Sequence, residues 1–187
     1  LYDPETDMRA VIVLDSLVLG PAKGGIRMSL SANEEEVCGL ARAMTLKNAL
    51  ANIPFGGGKS GILADAKDVS GDEKRALVSA FAKKLSLVAP DHYVAAPDIA
   101  MAEDEMRIIA SIAGNASVTG KPEDIGGIPH ELGSTGYGVF VSVREVVRLQ
   151  DESLSGKRVS VQGFGNVGSF AAQFLVDEGA VLVAASD

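Results

Sequence analysis

Three lysines stand where a charged side chain is unexpected. Lys23 and Lys59 lie among glycines, in GPAKGG and GGGKSG. Lys47 lies on a predicted helix over 33–51, on the same side as the apolar Val37, when residues are spaced by roughly 100° around the axis. A charged group on a buried stripe must either extend to solvent or meet an anion. Lys47 is therefore either a lysine that reaches water or a ligand for an anion.

The glycines around Lys59 weaken regular structure, so they need a reason, and one such reason is a close approach of the backbone to a ligand. Gly58-Lys59-Ser60 resembles the end of a nucleotide-binding P-loop. That motif requires glycine at position 53, where the chain has Ile53. We interpret Lys59 instead as a lysine held in a pocket beside other lysines, where it can act as a base.

Asp98 is the candidate acidic partner of these lysines. A short strand predicted over 93–96 would bring it to the end of a sheet, and Pro97 restricts the turn before it. An acid that faces clustered lysines is either a structural ion-pair partner or a proton-transfer group. We favour proton transfer.

A second group of residues, at 163–168, matches the G-x-G-x-x-G pattern. An apolar strand is predicted over 158–162 before it, a helix follows to Glu178, and a second strand leads to Asp187. A lone match is weak, but this strand–turn–helix–strand context is the one that binds the pyrophosphate of a dinucleotide. The alternative is an ordinary strand–helix–strand turn that happens to contain glycines.

Each residue of this turn has a separate predicted task. Gly163 permits the tight turn, Gly165 lets the backbone approach the pyrophosphate, and Gly168 lets the helix pack on the strand. The helix N-terminus offers free N–H groups and a partial positive charge. Asp187 stands close to the usual place of the acid that binds the adenosine ribose.

The elements that must position these residues indicate an α/β protein. The apolar fraction is 47% and the charged fraction 22%, as in globular proteins. The segment 20–27 is predicted to be a tight loop with strand character at its end. The segment 54–58 is predicted to end the first helix, and 114–134 is predicted to be a polar connection that contains a loop histidine, His130. We expect two domains, 1–133 and 134–187. The predicted strands lie in 9–19, 59–63, 93–96, 158–162 and 181–185. The predicted helices are 33–51, 70–89, 103–113, one that begins at 135 and one that ends at 178. Ser70 and Glu73 have the S-x-x-E spacing of a capping box at the start of the second helix, whose predicted apolar stripe is Val78, Phe81, Leu85 and Val88.

Composition narrows the classes of partner. The net charge of −8 provides no surplus of cations for nucleic acid or an anionic membrane. The one cysteine, Cys38, excludes an internal disulfide and is expected to be a small buried residue on the first helix. We find no spacing typical of a zinc site, no membrane-spanning run and no signal peptide, and we expect a cytoplasmic protein without a metal.

Six motifs in order resemble the Glu/Leu/Phe/Val amino-acid dehydrogenase family, and most closely its glutamate-specific members. They span nearly the whole chain and are much more specific together than the glycine turn alone. They are GPAKGGIR (20–27), MTLKNAL (44–50), PFGGGKSG (54–61), APDIA (96–100), GSTGYGV (133–139) and VQGFGNVG (161–168).

The resemblance implies a reaction and roles for single residues. An L-amino acid gives its α-hydride to NAD or NADP, and the iminium is hydrated and collapses to a 2-oxo acid and ammonia. By motif match, Lys59 would activate the water, Asp98 would move protons to and from the amino group, and Lys47 would pair with the α-carboxylate. The implied cofactor-binding residues are Thr135, Gly163, Gly165, Asn166, Val167, Gly168 and Asp187.

Lys23 is the residue that indicates the substrate specificity. In the glutamate enzymes of the family a lysine in this loop meets the side-chain carboxylate, whereas the branched-chain and aromatic enzymes tend to carry an apolar residue there. An ammonium buried against a leucine side chain would be unpaired at a cost of several kcal/mol. The resemblance thus favours L-glutamate, 2-oxoglutarate and ammonia as substrates.

The resemblance also implies an architecture: an N-terminal substrate-binding and oligomerisation domain with a mixed sheet, then the start of a Rossmann-type dinucleotide-binding domain, in a homohexamer. Because such a domain needs about six strands and few are predicted here, we expect a fragment that does not turn over glutamate alone. Two alternatives stay open: a leucine, valine or phenylalanine dehydrogenase, and a truncated, non-catalytic assembly module.

Overall fold

The computed structural model describes residues 1–128 and 132–187. Contacts between Cα atoms divide the chain into two compact units, Leu1–Pro129 and His130–Asp187. This division lies a few residues before the expected one at 133. His130, expected to be a loop histidine, lies outside the described residues.

The first unit is built on a five-stranded sheet that mixes parallel and antiparallel pairs. Its strands are β1 (Tyr2–Asp3), β2 (Met8–Ser16), β3 (Ala22–Met28), β4 (Gly56–Ile62) and β5 (Tyr93–Pro97). Their order across the sheet is β1-β2-β4-β3-β5. β3 runs parallel to both of its neighbours, β4 and β5, while β2 runs antiparallel to β1 and β4.

Two of these strands run through glycine-rich segments that the sequence analysis interpreted otherwise. The segment 20–27, expected to be mostly loop, lies largely in β3. The glycines at 56–58, expected to break the chain, begin β4, which is buried along its whole length. Glycine disfavours strands because it lacks a side chain to pack, and here neighbouring elements occupy that space.

Close packing explains these glycines. A Cβ on Gly57 would overlap Thr45 of the first helix, and a Cβ on Gly58 would lie 3.0 Å from the ring of Tyr93. The glycines of β4 therefore admit a helix on one face and a tyrosine on the other. Close approach to a ligand, the reason considered from the sequence, is not what these two positions show.

Helix α1 (Glu34–Leu50) covers one face of the sheet and matches the helix predicted over 33–51. The side chain of Asn33 caps it by accepting the N–H of Glu36 at 2.9 Å. Three glutamates occupy its first turn, where the positive end of the helix dipole favours them.

Two side chains expected on the buried face of α1 are exposed, which contradicts the expectation for Cys38 and agrees with the alternative that Lys47 reaches water. The face of α1 that packs on the sheet contains Val37, Ala41 and Asn48. Lys47 directly precedes Asn48, so its side chain projects away from that face and is exposed. Cys38, expected to be buried, is exposed because it directly follows Val37 and projects about 100° away from that residue.

The main core lies under helices α2 (Gly71–Leu85) and α3 (Glu103–Ala113). The predicted S-x-x-E start of α2 is confirmed, since Ser70 Oγ accepts the N–H of Glu73 at 3.2 Å. The predicted apolar stripe is confirmed at Val78, Phe81 and Leu85, each fully buried.

The second unit consists of helix α4 (Ser134–Leu149) and a strand–helix–strand unit made of β6 (Arg158–Gln162), α5 (Asn166–Asp177) and β7 (Val181–Ser186). β6 and β7 are parallel, as a helical crossover requires. Its small core contains Phe140, Leu154, Leu175 and Ala180.

In the part of the chain that the structure describes, no helix has the length and apolar character needed to cross a membrane. Across the same residues, no cluster of three or more His, Cys, Asp or Glu side chains could hold a metal ion.

Candidate active site

Strand β3 presents its chemically interesting residues at alternate positions. Because successive strand side chains point to opposite faces, Lys23, Gly25 and Arg27 share one face. Lys59 of the neighbouring β4 reaches the same place, since a Cβ on Gly25 would lie 3.1 Å from Lys59 Nζ. Asp98 follows directly after β5, on the other side of β3.

Lys59 and Asp98 form a close ion pair, with Lys59 Nζ 2.8 Å from Asp98 Oδ2. The Lys59 side chain is 8% exposed and that of Asp98 25%. Burial by itself would raise the pKa of Asp98, but the hydrogen bonds and charges of Lys59 and Arg27 outweigh it and hold this pKa below its ordinary value. Asp98 is therefore a carboxylate at neutral pH.

Gly25 makes this pair possible. A Cβ at this position would lie 2.7 Å from Asp98 Cβ and 3.1 Å from Pro97 O, as well as against the Lys59 ammonium. Asp98 Cβ is the fixed base of its side chain and cannot move without moving the backbone. The space left by the missing side chain is thus the space in which Lys59 and Asp98 meet.

Gly25→Ala is expected to separate Lys59 from Asp98 and to destabilise the fold by about 1–3 kcal/mol through overpacking. Thermal unfolding of the purified chain measures the second effect, and a crystal structure measures the first. Gly39→Ala is the matched control: a Cβ there meets nothing within 4 Å, and alanine favours the helix by about 0.5–1 kcal/mol. A Gly25→Ala variant with unchanged stability and an unchanged ion pair would contradict this account.

Lys23 lies half-buried near the start of β3. Its Nζ donates to Thr119 Oγ1 at 2.7 Å and lies 5.7 Å from the centroid of the Phe55 ring. Burial, together with a smaller effect of the positive charge of Lys121, lowers the pKa of Lys23 to about 8. Within residues 1–128 and 132–187 no carboxylate forms an ion pair with Lys23. Such an ammonium would be stabilised by an anionic ligand.

A cavity of about 320 Å³ brings the predicted residues of the first unit together. Its size is in the range of small-molecule sites. Lys47, exposed on the last turn of α1, contributes its side chain to the wall, and the adjacent Asn48 ties that turn to the sheet by donating to Gly56 O at 2.6 Å. The lining includes Lys23, Lys47, Lys59 and Asp98, together with Gly24, Gly25, Met44, Asn48, Ile53, Ala96 and Pro97.

Three residues near this cavity were missed from the sequence. Thr119 contacts Lys23 from a segment that is distant in sequence, and no local sequence pattern predicts this contact. Arg27 donates to Asp98 and could have been found, since a strand over 20–27 would have put it on the face of Lys23. The buried hydroxyl of Tyr93 accepts a hydrogen bond from Ser60 and donates to Gly24 O at 2.9 Å, which ties β5 to β3 and β4 beneath the site.

The glycine turn of the second unit has the geometry of an anion cradle. Gly163 has φ +84°, a left-handed conformation that side chains rarely adopt, and a Cβ on Gly168 would overlap the carbonyl of Gly163. A Cβ on Gly165 would meet nothing within 4 Å, so the turn is open there. Gly165 is the N-cap of α5 and supplies no side-chain cap, so the helix N-terminus can offer its N–H groups to a phosphate.

The remaining predicted cofactor residues lie at element ends of the same unit. Asn166 and Val167 form the first turn of α5, and Val167 is 40% exposed. Thr135 is exposed in the first turn of α4, and Asp187 is exposed directly after β7. These residues, with the open glycine turn, fit a dinucleotide whose pyrophosphate binds at the N-terminus of α5 and whose ribose hydroxyls meet an acid.

Both units of the chain match known proteins. Residues 4–113 match the family model described as Glu/Leu/Phe/Val dehydrogenase, dimerisation domain, and residues 126–187 match that of Glutamate/Leucine/Phenylalanine/Valine dehydrogenase. The chain is 37% identical to the catabolic NAD-specific glutamate dehydrogenase of Bacillus subtilis (strain 168), over 90% of this chain and 42% of the relative. It is 40% identical to the glutamate dehydrogenase of Aeropyrum pernix, again over 90% of this chain and 42% of the relative.

Among solved structures, the hetero-hexameric glutamate dehydrogenase of Thermus thermophilus, in a leucine-bound form, matches with a TM-score of 0.84 and 27% identity. The match covers 98% of this chain and 52% of that one. The chain thus spans about two-fifths of the length of the curated relatives and about half of this structural neighbour. With matches to both family models in sequence order, the chain belongs to the Glu/Leu/Phe/Val dehydrogenase family.

Proposed function

We propose that the protein carrying this chain oxidises L-glutamate to 2-oxoglutarate and ammonia with a nicotinamide dinucleotide. The observation that carries the proposal is the cavity in which a half-buried Lys23, without a carboxylate partner in the described chain, accompanies the Lys59–Asp98 pair. A dicarboxylate is the amino-acid class that such a set of cations suits. The relatives named glutamate dehydrogenase support this choice.

Two lysines are proposed to bind the substrate. Lys23 pairs with the side-chain carboxylate, and Thr119 orients its ammonium through their hydrogen bond. Lys47, at the wall of the cavity, pairs with the α-carboxylate. Binding at two carboxylates fixes both ends of the substrate and so orients the α-carbon between them.

Lys59 and Asp98 are proposed to perform the proton transfers. Both bonds that Asp98 receives from Lys59 and Arg27 go to Oδ2, so Oδ1 is the oxygen that we assign to the substrate amine. Asp98, a carboxylate at neutral pH, takes a proton from the substrate ammonium and returns it to the departing ammonia. Lys59, in the neutral form that it reaches after losing its own proton to solvent, takes a proton from the water that attacks the imino carbon.

The second unit is proposed to hold the cofactor, which accepts the α-hydride when bound. Gly163, Gly165, Val167 and Gly168 would form the pyrophosphate cradle, with Asn166 and Thr135 contacting phosphates and nicotinamide. Asp187 after β7 would bind the ribose hydroxyls, which favours NAD over NADP. The relative from Bacillus subtilis, named NAD-specific, supports the same preference.

Assembly into a homohexamer is part of the proposal. It is supported by the hetero-hexameric neighbour from Thermus thermophilus and by the match of residues 4–113 to a dimerisation domain.

The test is a substrate and cofactor panel on the full-length protein. We expect glutamate to give the highest kcat/KM among glutamate, leucine, valine and phenylalanine, and NAD to be preferred over NADP. Preference for an apolar amino acid would replace the glutamate assignment by the branched-chain or aromatic alternative. For the purified chain alone, light scattering that shows assembly together with a titration that shows no cofactor binding would favour the truncated, non-catalytic assembly module.

A further inference from the structure

The Lys59–Asp98 pair is one end of a longer chain of contacts. Arg27 donates from Nε to Asp98 Oδ2 at 3.0 Å and from Nη1 to Glu36 Oε1 at 2.7 Å. Glu36 in turn accepts the hydroxyl of Ser31 at 3.1 Å through its other oxygen. One guanidinium therefore joins the acid of the active site to the first turn of helix α1.

The backbone at Arg27 and at Glu36 is also anchored by hydrogen bonds outside this chain of contacts. Arg27 lies near the end of β3, and the next residue, Met28, donates its N–H to Ile99 O at 3.0 Å, which ties that strand end to the turn after Asp98. Glu36 is the residue whose N–H is capped by Asn33. Both ends of the contact chain are therefore anchored by hydrogen bonds that do not involve the Arg27 side chain.

The geometry separates Arg27 from the residues that meet substrate. The Arg27 side chain is 18% exposed and does not line the cavity, whereas Lys59 and Asp98 do. Lys59 and Arg27 together direct two donors at one oxygen, Oδ2. A carboxylate held by a single donor can exchange its oxygens by rotation, whereas two donors on the same oxygen restrain it.

We infer that Arg27, braced by Glu36, is a positioning residue that restrains Asp98 so that its second oxygen is presented to the substrate amine. This inference rests on the proposed function for its catalytic consequence, while the restraint itself is a property of the chain. The planar guanidinium is suited to this task because it offers separate N–H groups to two carboxylates at fixed angles, which a lysine ammonium does not. Ser31 completes the brace by holding Glu36.

The test compares Arg27→Lys and Glu36→Gln with two matched controls. Arg75→Lys makes the same exchange at an exposed arginine of α2 that pairs with Asp72. Glu35→Gln removes the same charge from the same helix turn at an exposed neighbour. Comparison with Glu35→Gln cancels the effect of the helix dipole.

The first measurement needs no turnover: a ¹³C-detected titration of the Asp98 carboxyl in the purified chain. The groups that face this carboxyl are Lys59 from β4, Arg27 from β3 and Tyr93 from β5. We expect Arg27→Lys and Glu36→Gln both to raise the pKa of Asp98, because each releases the Nε bond. If only the loss of the negative charge mattered, Glu36→Gln would lower the pKa of Asp98. A lowered or unchanged pKa in Glu36→Gln would overturn the role of Glu36.

The second measurement is kcat and KM for glutamate in the full-length enzyme. We expect Arg27→Lys to reduce kcat by roughly 10- to 100-fold, as misplacement of a reacting group does, with KM little changed. Wild-type kcat in Arg27→Lys would overturn the inference while leaving the proposed function intact. If the wild-type enzyme turned over no amino acid, the proposed function would fall, and the carboxyl titration would still decide whether Arg27 restrains Asp98.

Discussion

Asp98→Asn is expected to lower kcat for the proposed glutamate oxidation by roughly 10²- to 10⁴-fold, the usual contribution of a positioned acid–base group. Asparagine keeps the shape of aspartate and can still accept the hydrogen bonds of Lys59 and Arg27, which now reach Oδ2 at 2.8 and 3.0 Å. What it cannot do is take a proton from the substrate ammonium. KM should therefore change much less than kcat. Steady-state kinetics on the full-length enzyme make the measurement.

The control for this variant is Asp124→Asn. Asp124 forms a two-bond ion pair with Arg107 at 2.7 and 2.8 Å, away from the cavity residues. It loses the same charge, so unchanged activity there shows that the effect of Asp98→Asn is local. If Asp98→Asn kept wild-type kcat, Asp98 would be the structural ion-pair partner that the sequence analysis held open.

Lys23→Leu is expected to reverse the substrate preference. Removing one member of a desolvated charge pair costs about 3–5 kcal/mol, so kcat/KM for glutamate should fall by roughly 10²- to 10⁴-fold. The kcat/KM for leucine should rise, because the leucine side chain would then meet an apolar surface that includes the Phe55 ring, which lies 5.7 Å from Lys23 Nζ in the present structure. The ratio of kcat/KM for glutamate and leucine measures this change.

Lys23→Leu should stabilise the fold although it weakens glutamate binding. Burial lowers the pKa of Lys23 to about 8 from 10.5, so keeping Lys23 charged opposes folding. This cost to the free energy of unfolding is complete below about pH 8. It is relieved as the pH rises from about 8 to 10.5, because in that range the unfolded chain binds more protons than the folded chain. Lys23→Leu should therefore raise the midpoint of thermal unfolding at pH 7, and the gain should shrink above pH 8.

Lys67→Leu serves as the control because Lys67 is exposed in the loop before α2. It should leave both the substrate ratio and the pH dependence of unfolding unchanged. An unmoved preference between glutamate and leucine in Lys23→Leu would show that another residue selects the side chain.

The sequence was most informative where a requirement is local. The S-x-x-E start of α2 and its stripe at Val78, Phe81 and Leu85 were predicted correctly, because capping and periodicity depend on residues a few positions apart. The strand β6 was predicted with the bounds that it has, 158–162. The motifs also identified the family.

Local rules failed where packing from other elements reverses a propensity. Glycines at 56–58 disfavour a strand by themselves, yet Thr45 and Tyr93 occupy the space that side chains would need. Lys47 was placed on a buried face from helical angles, and Cys38 was expected to be buried from its residue type, but the face that the sheet covers is offset from both.

By itself, the sequence determined the family, most of the elements, and the four charged residues that line one cavity: Lys23, Lys47, Lys59 and Asp98. Only the tertiary structure decided that Thr119 meets Lys23 and that Arg27 connects Asp98 to Glu36. The reason is physical. Thr119 and Lys23 lie 96 positions apart, and Arg27 and Asp98 lie 71 apart. Such neighbours are set by the order of strands in the sheet, with β3 between β4 and β5, and no local pattern encodes that order.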